Sequence, residues 1–123
     1  MVGLLNILMV TSEAAPFAKM GGLGDVVASL AASLASLRND VRVLLPYYST
    51  ISEQFRRNFR PIPAVFTVHL AQDHWARLWE YVTPEKVHFY FLEYDKYYGR
   101  RGIYGDNSGE FVDNAQRFAF LSA

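Results

Sequence analysis

The first part of the chain alternates short apolar runs with a polar, glycine-rich segment. Residues 4–11 (LLNILMVT) form a nearly continuous apolar run. Such a run is typical of a strand buried on both faces of an α/β sheet, and we expect it to be the first and most central strand. Apolar residues then recur at helical spacing over 26–38, with Asp25 at the expected N-cap, and residues 41–45 (VRVLL) predict a second buried strand. Strand, loop, helix and strand make a βαβ unit.

The second part of the chain is aromatic and reads mainly as strands. Of the 19 Phe, Trp and Tyr residues, only Phe17 precedes position 46. The pattern predicts a short helix over 51–60, strands over 65–70, 75–82 and 86–93, a loop over 94–109 and a helix over 112–123. A hairpin through 71–74 adds antiparallel pairing, so we expect a mixed α/β sheet.

The last predicted helix, 112–123, has no signal that would end it. Its final turn contains neither Gly nor Pro and no basic cluster, so we expect the native polypeptide to continue past this point. Asp113 is expected to cap the helix at its beginning.

Composition excludes several classes of protein. The 123 residues include no cysteine, which removes disulfides and Cys-ligated zinc, and the 12 basic residues balance the 12 acidic ones. A neutral chain gives no reason to expect a nucleic-acid partner. The longest weakly polar stretch, 26–37, is well short of the roughly 20 apolar residues that span a bilayer, so we expect a protein with no membrane partner. The three histidines (His69, His74, His88) lack ligand spacing, so no metal site is expected.

The segment Lys19-Met20-Gly21-Gly22-Leu23-Gly24-Asp25 carries the strongest chemical signal. It lies between the first predicted strand and the first helix, where α/β sheets bind ligands and where a helix N-terminus attracts anions. Glycines allow a phosphate to approach the backbone closely, and Lys19 adds a positive charge. The spacing matches neither a Walker A loop nor the dinucleotide fingerprint. Local chemistry leaves two interpretations open, a diphosphate site and a structural glycine turn capped by Asp25.

Four segments resemble the signatures of one enzyme family, the bacterial glycogen synthases and plastid starch synthases. The family hallmark, Lys-x-Gly-Gly-Leu followed by an acidic residue, is present within residues 11–26. The remaining segments are 43–48 (VLLPYY), 101–107 (RGIYGDN) and 113–119 (DNAQRFA). The resemblance covers nearly the whole chain, in order and with compatible spacing.

The resemblance implies a retaining glucosyltransferase that moves glucose from ADP-glucose to the non-reducing end of an α-1,4-glucan, without a cofactor. It implies a Rossmann-like, mostly parallel sheet with flanking helices in a two-domain GT-B enzyme. Lys19, Gly21 and Gly22 match the residues that contact the donor diphosphate. Asp25 and Tyr104 match residues of the same cleft, and no residue is assigned a catalytic role with confidence. Such enzymes are cytoplasmic, or in the plastid stroma in plants.

One position departs from the family pattern. The family usually has Phe-Asp-Arg or Tyr-Asp-Arg before the Gly-Ile/Leu-Tyr segment, whereas this chain reads Tyr98-Gly99-Arg100. Any role of an acidic side chain at position 99 is therefore lost or shifted. We expect the neighbouring tyrosines, Tyr104 excepted, to pack structurally, and the arginines around positions 56–60 and 100–101 to form solvated faces.

The resemblance identifies residues 1–123 as part of the N-terminal Rossmann-like domain, without the C-terminal nucleotide-binding domain. We therefore expect the chain to be inactive by itself and to act with the rest of the synthase chain. Two alternatives stay open: a freestanding, non-catalytic carbohydrate-binding module, and a generic α/β phosphate-binding domain.

Overall fold

The structure is a computed structural model that describes residues 4–123. Its helices are α1 (Gly22–Ser36), α2 (Glu53–Arg56), α3 (Asp95–Tyr98) and α4 (Asn114–Ser122). Its strands are β1 (Asn6–Val10), β2 (Asp40–Pro46), β3 (Arg60–Pro61), β4 (Phe66–Leu70), β5 (Gln72–Val82), β6 (His88–Glu93), β7 (Gly105–Asp106) and β8 (Gly109–Glu110). Across these residues no helix combines the length and the hydropathy needed to cross a bilayer.

One mixed sheet organises the fold, in the order β1-β2-β6-β5-β3, with β4 paired to β5. β1, β2 and β6 run parallel, while β5 is antiparallel to β6, β3 and β4. The side chains of Val41, Val43 and Leu45 in β2 are fully buried, which places this strand in the core. The mixed α/β sheet predicted from the sequence is confirmed. Its parallel strands all end at the same edge, beside the glycine-rich segment.

The prediction that the first strand is central and buried on both faces is wrong for this chain. β1 stands at the end of the strand order, and its residues alternate between half-buried and exposed. Leu8 is 62% exposed and Val10 48% exposed. Apolar composition alone cannot distinguish a central strand from an edge strand, because the difference depends on which other segments reach it.

Helix α1 begins earlier than the hydrophobic pattern predicts. It starts at Gly22 rather than at position 26, and Gly21 is its N-cap, so Asp25 lies in the first turn and is not the cap. Glycine is unfavourable in helix interiors, and for this reason the sequence pattern predicted a loop, not a helix, over residues 22–25. Glycine is nevertheless among the residues preferred at a helix N-cap, the position that Gly21 occupies.

Phe17 fixes the glycine-rich segment to the core. Its ring is 7% exposed and makes edge contacts with five aromatic rings, among them Phe89 and Phe91 of β6 at centroid distances of 5.0 and 5.1 Å. Edge-to-face pairs of this kind are favourable beyond their buried area. The one aromatic residue of the first part of the chain therefore anchors the segment that precedes α1.

Several predicted boundaries also change. The helix expected over 51–60 is the single turn α2, and β5 begins at Gln72, because the hairpin reverses at Ala71 with a positive φ of 63°. The loop expected over 94–109 contains α3 and the strand pair β7–β8. Short elements of this size are set by their tertiary contacts rather than by periodicity.

Candidate anion-binding site

The segment between β1 and α1 is a compact turn stabilised by its own backbone. Ala14 and Ala18 exchange two N–H···O bonds of 2.9 Å, and the Ala15 N–H donates to the carbonyl of Gly24 over 3.0 Å. Together with the buried ring of Phe17, these contacts place Lys19 and the first residues of α1 at the carboxyl edge of the parallel strands. This is the edge at which open α/β sheets bind their ligands.

Lys19 and Asp25, both predicted to face a ligand, bind each other in this structure. Their Nζ and Oδ2 atoms are 2.9 Å apart, and the two side chains are 51% and 55% exposed. An exposed pair of this kind is worth only about 0–1 kcal/mol, so an incoming anion can replace Asp25 as the partner of Lys19 at small cost. The lysine charge is thus present at the site and readily available.

The three glycines of the segment serve two different purposes. A Cβ added at Gly21 or Gly22 would meet nothing within 4 Å, whereas a Cβ at Gly24 would lie 3.3 Å from the carbonyl oxygen of Ala18. Gly24 therefore packs closely against the preceding turn. Gly21 and Gly22 border open space at the beginning of α1, where the N-cap residue Gly21 has no side chain that could cap the helix. A helix N-terminus without a capping side chain at its N-cap residue can accept an anion from the solvent side.

Glu13, which the sequence analysis did not single out, organises this segment. Its side chain is 4% exposed, and its Oε1 accepts hydrogen bonds from the N–H groups of Met20 (2.8 Å) and Gly21 (3.1 Å). Burial raises the pKa of Glu13, but hydrogen bonds from Tyr104 and from the backbone outweigh it, so the pKa lies below its ordinary value. Glu13 is therefore a carboxylate that shapes the turn from inside.

Tyr104 reaches the same turn from the other end of the chain. Its hydroxyl donates to Glu13 Oε2 over 2.5 Å and lies 2.6 Å from the Ser12 hydroxyl. Burial raises the pKa of Tyr104, as does the hydrogen bond to Glu13. The structure thus brings Tyr104 to the predicted site, with its hydroxyl bound to protein groups.

Helix α4 holds the backbone on either side of Tyr104. Arg117 is fully buried and donates to the carbonyl of Ile103 over 2.7 Å, and Asn114 Nδ2 donates to the carbonyl of Tyr104 over 2.9 Å. Burial lowers the pKa of Arg117. These bonds explain how a helix distant in sequence positions a residue at the glycine-rich turn.

An open pocket of about 380 Å³ lies between this turn and the segment around Ile103. The residues that line it include Lys19, Met20, Thr50, Arg101 and Gly102. The pocket has two cationic side chains in its lining, Lys19 and Arg101. Their positive charge suits an anionic ligand.

Comparison with known proteins identifies the family to which this arrangement belongs. The starch synthase catalytic domain family model matches residues 6–123. The chain belongs to the starch synthase catalytic domain family. The family resemblance stated from the four sequence segments is therefore confirmed.

Several members of the starch synthase family resemble the chain over nearly its whole length. A glycogen synthase of Treponema denticola is 43% identical over 96% of this chain, and a glycogen synthase 1 of Geobacter sulfurreducens is 44% identical over 96%. The chain spans 24% of the length of each relative. The solved catalytic domain of starch synthase IV from Arabidopsis thaliana, bound to ADP and acarbose, matches 98% of this chain and 24% of its own with a TM-score of 0.79 and 27% identity.

In the segment Tyr98-Gly99-Arg100, which departs from the family pattern at position 99, the arginine forms an ion pair. Arg100 binds both carboxylate oxygens of Asp113, over 2.6 and 2.7 Å, so it does not belong to a solvated face as predicted. Asp113 occupies the N-cap position of α4 but makes no capping hydrogen bond with its side chain. The bidentate guanidinium takes both oxygens, and the same pairing lowers the pKa of Asp113. Gly99 ends α3 as its C-cap.

The other tyrosines of this region pack as expected. Tyr97 is 7% exposed and Tyr98 is fully buried, while the ring of Tyr94 stacks on Phe120 at 4.5 Å. The histidines lie apart from the turn: His74 bonds the Tyr94 hydroxyl, His88 bonds Glu80 and His69 bonds Asp73. Within residues 4–123 no three side chains of metal-binding type come together.

The role of Glu13 could not be read from spacing, although Glu13 lies inside the family signature. Its partner Tyr104 is 91 residues away along the chain, and a local pattern contains no information about such a contact. The sequence offered one indirect signal, the lack of a local partner for Glu13. An acidic residue directly after an apolar strand, next to alanines and proline, has no local partner and therefore requires one from elsewhere.

Proposed function

We propose that this chain forms the donor-diphosphate part of the active site of a glycogen or starch synthase. The activity is retaining transfer of glucose from ADP-glucose to the non-reducing end of an α-1,4-glucan. The observation that carries the proposal is the open start of α1 at Gly21 and Gly22 beside Lys19, in a chain of the starch synthase family.

The proposed chemistry follows from charge. When the nucleoside diphosphate leaves, negative charge develops on the oxygen that bonded the sugar. A lysine ammonium and the positive end of a helix dipole stabilise that charge where it forms. Removing one such preorganised donor typically costs two to three orders of magnitude in rate. Lys19 would exchange its contact with Asp25 for a phosphate oxygen, which frees the Asp25 carboxylate to accept a hydrogen bond from a sugar hydroxyl.

The remaining roles are proposed from the position of the residues. Gly21 and Gly22 admit the phosphates close to the backbone. Tyr104 borders the same cleft, and aromatic rings suit the apolar face of a glucose unit. We assign no catalytic residue within this chain.

We further propose that residues 1–123 are part of the N-terminal Rossmann-like domain of a two-domain GT-B enzyme acting in the cytoplasm. The C-terminal nucleotide-binding domain would then lie in the rest of the synthase chain. ADP-glucose and the glucan are substrates and partners here, and no cofactor is invoked. The preference for ADP over UDP comes from the family, because the contacts to the base belong to the other domain.

Titration with ADP tests the proposal. In the isotope-labelled chain, Lys19→Ala should weaken ADP binding roughly tenfold, as expected for the loss of a charged hydrogen-bond donor. Lys96→Ala, which removes an exposed lysine of α3, is the matched control and should leave binding unchanged. Equal affinity in both variants would refute the diphosphate site. Glucan binding that survives Lys19→Ala and is lost in Tyr104→Ala would instead support a non-catalytic binding module.

A further inference from the structure

Three side chains join the two ends of this chain, and we call them the clasp: Ser12, Glu13 and Tyr104. Glu13 uses one carboxylate oxygen for the N–H groups of Met20 and Gly21 and the other for the Tyr104 hydroxyl. Ser12 adds a bond of 2.6 Å to the same hydroxyl. The clasp therefore connects the segment between α3 and β7 directly to the backbone N–H groups of Met20 and Gly21 at the start of α1.

We propose that Glu13 and Tyr104 are positioning residues, which hold residues 19–22 in the conformation that binds the donor diphosphate. The Tyr104 hydroxyl acts through Glu13 and not on the donor. This inference rests on the proposed function, since it concerns the same diphosphate site.

The position of the Glu13 carboxylate allows two effects on diphosphate binding to be distinguished: ordering of the backbone around it and electrostatic repulsion of the ligand. A negative charge directly beneath the start of α1 repels an anion and offsets part of the helix dipole. Simple electrostatics therefore predicts that a neutral residue at position 13 would bind a diphosphate more tightly. A carboxylate that is 4% exposed and receives three hydrogen bonds instead fixes the backbone around it. Losing that order should weaken binding more than losing the charge strengthens it.

The clasp is attached to rigid parts of the fold on both sides. Tyr48, fully buried, donates its hydroxyl to the Ser12 carbonyl over 2.7 Å. On the other side, Arg117 and Asn114 of α4 bind the carbonyls of Ile103 and Tyr104. A change in the clasp should therefore alter Met20 and Gly21, the exposed residues whose N–H groups the clasp binds.

The test compares Glu13→Gln, Tyr104→Phe and the double variant in the 123-residue chain. We expect faster amide hydrogen exchange at Met20 and Gly21 and roughly tenfold weaker ADP binding in each variant. The double variant should be no weaker than the single variants by more than about twofold, because both substitutions disturb the same contact between residue 13 and the Tyr104 hydroxyl. Glu80→Gln and Tyr94→Phe are matched controls, since each removes a comparable half-buried hydrogen bond elsewhere.

Two results would overturn the positioning role: ADP binding that is unchanged or tighter in Glu13→Gln and Tyr104→Phe, or fully additive losses. Should Glu13→Gln fail to fold, Tyr104→Phe decides by itself, because it leaves the carboxylate in place. Failure of the proposed function looks different. In that case Lys19→Ala would leave ADP binding unchanged, whatever the clasp variants do to amide exchange.

Discussion

At the scale of single residues, neighbouring glycines differ in what surrounds their α-carbons. Gly24 lies against the backbone of Ala18, while Gly22 faces open space, although both belong to the first turn of α1. In the sequence, Gly22 and Gly24 belong to one glycine-rich motif. Because charge and helix termini act locally, the sequence indicates Lys19 and the glycines as candidates for an anion site. It could not assign separate tasks to each glycine, since those depend on atoms from the preceding turn.

Alanine at the two positions separates packing from ligand access. Gly22→Ala should leave the free energy of unfolding unchanged or raise it by up to about 1 kcal/mol, because alanine favours helix. It should nevertheless weaken ADP binding, since the methyl group enters the space proposed for the phosphates. Gly24→Ala should lower stability, because its Cβ lies 3.3 Å from a carbonyl oxygen. Urea unfolding and ADP titration measure both effects, and tighter ADP binding by Gly22→Ala would contradict the assignment.

At the scale of elements, α4 is a helix of only nine residues that holds two neighbouring backbone segments in place. Its Arg117 is buried and donates to the carbonyls of Tyr97 and Ile103. The sequence pattern predicted a helix over 112–123, but it did not indicate that an arginine of this helix lies in the core. Likewise, an apolar run predicted β1 as a strand but not its place in the sheet. The spacing of apolar residues and the composition predict which segments are helices or strands. The position of each element in the fold depends on contacts between residues distant in sequence.

Removal of the buried guanidinium tests this role of α4. Arg117→Met retains the bulk of the side chain but leaves buried carbonyl oxygens unpaired, at a cost of about 1–3 kcal/mol for each such group. We expect a clear loss of stability in urea unfolding. Arg57→Met, at an exposed position beyond α2, is the matched control and should change stability little. Equal stability of the two variants would show that Arg117 does not hold the Ile103 segment.

At the scale of the whole molecule, the described residues combine a well-packed core with several exposed apolar side chains. Aromatic rings around Phe17 and Phe91 fill one side of the sheet. Leu8 of β1 and Leu30 of α1 are 62% and 45% exposed. The chain also spans 24% of the length of its relatives. We therefore expect it to fold and to bind a diphosphate weakly, without transferring glucose by itself.

The most direct test of the central claim is to map ADP binding onto the amide resonances of the 123-residue chain. Our account predicts saturable shifts concentrated at Gly21, Gly22 and Leu23, with smaller changes at Lys19 as it releases Asp25. Saturable shifts centred elsewhere on the chain, or no saturable shift at the start of α1, would contradict it.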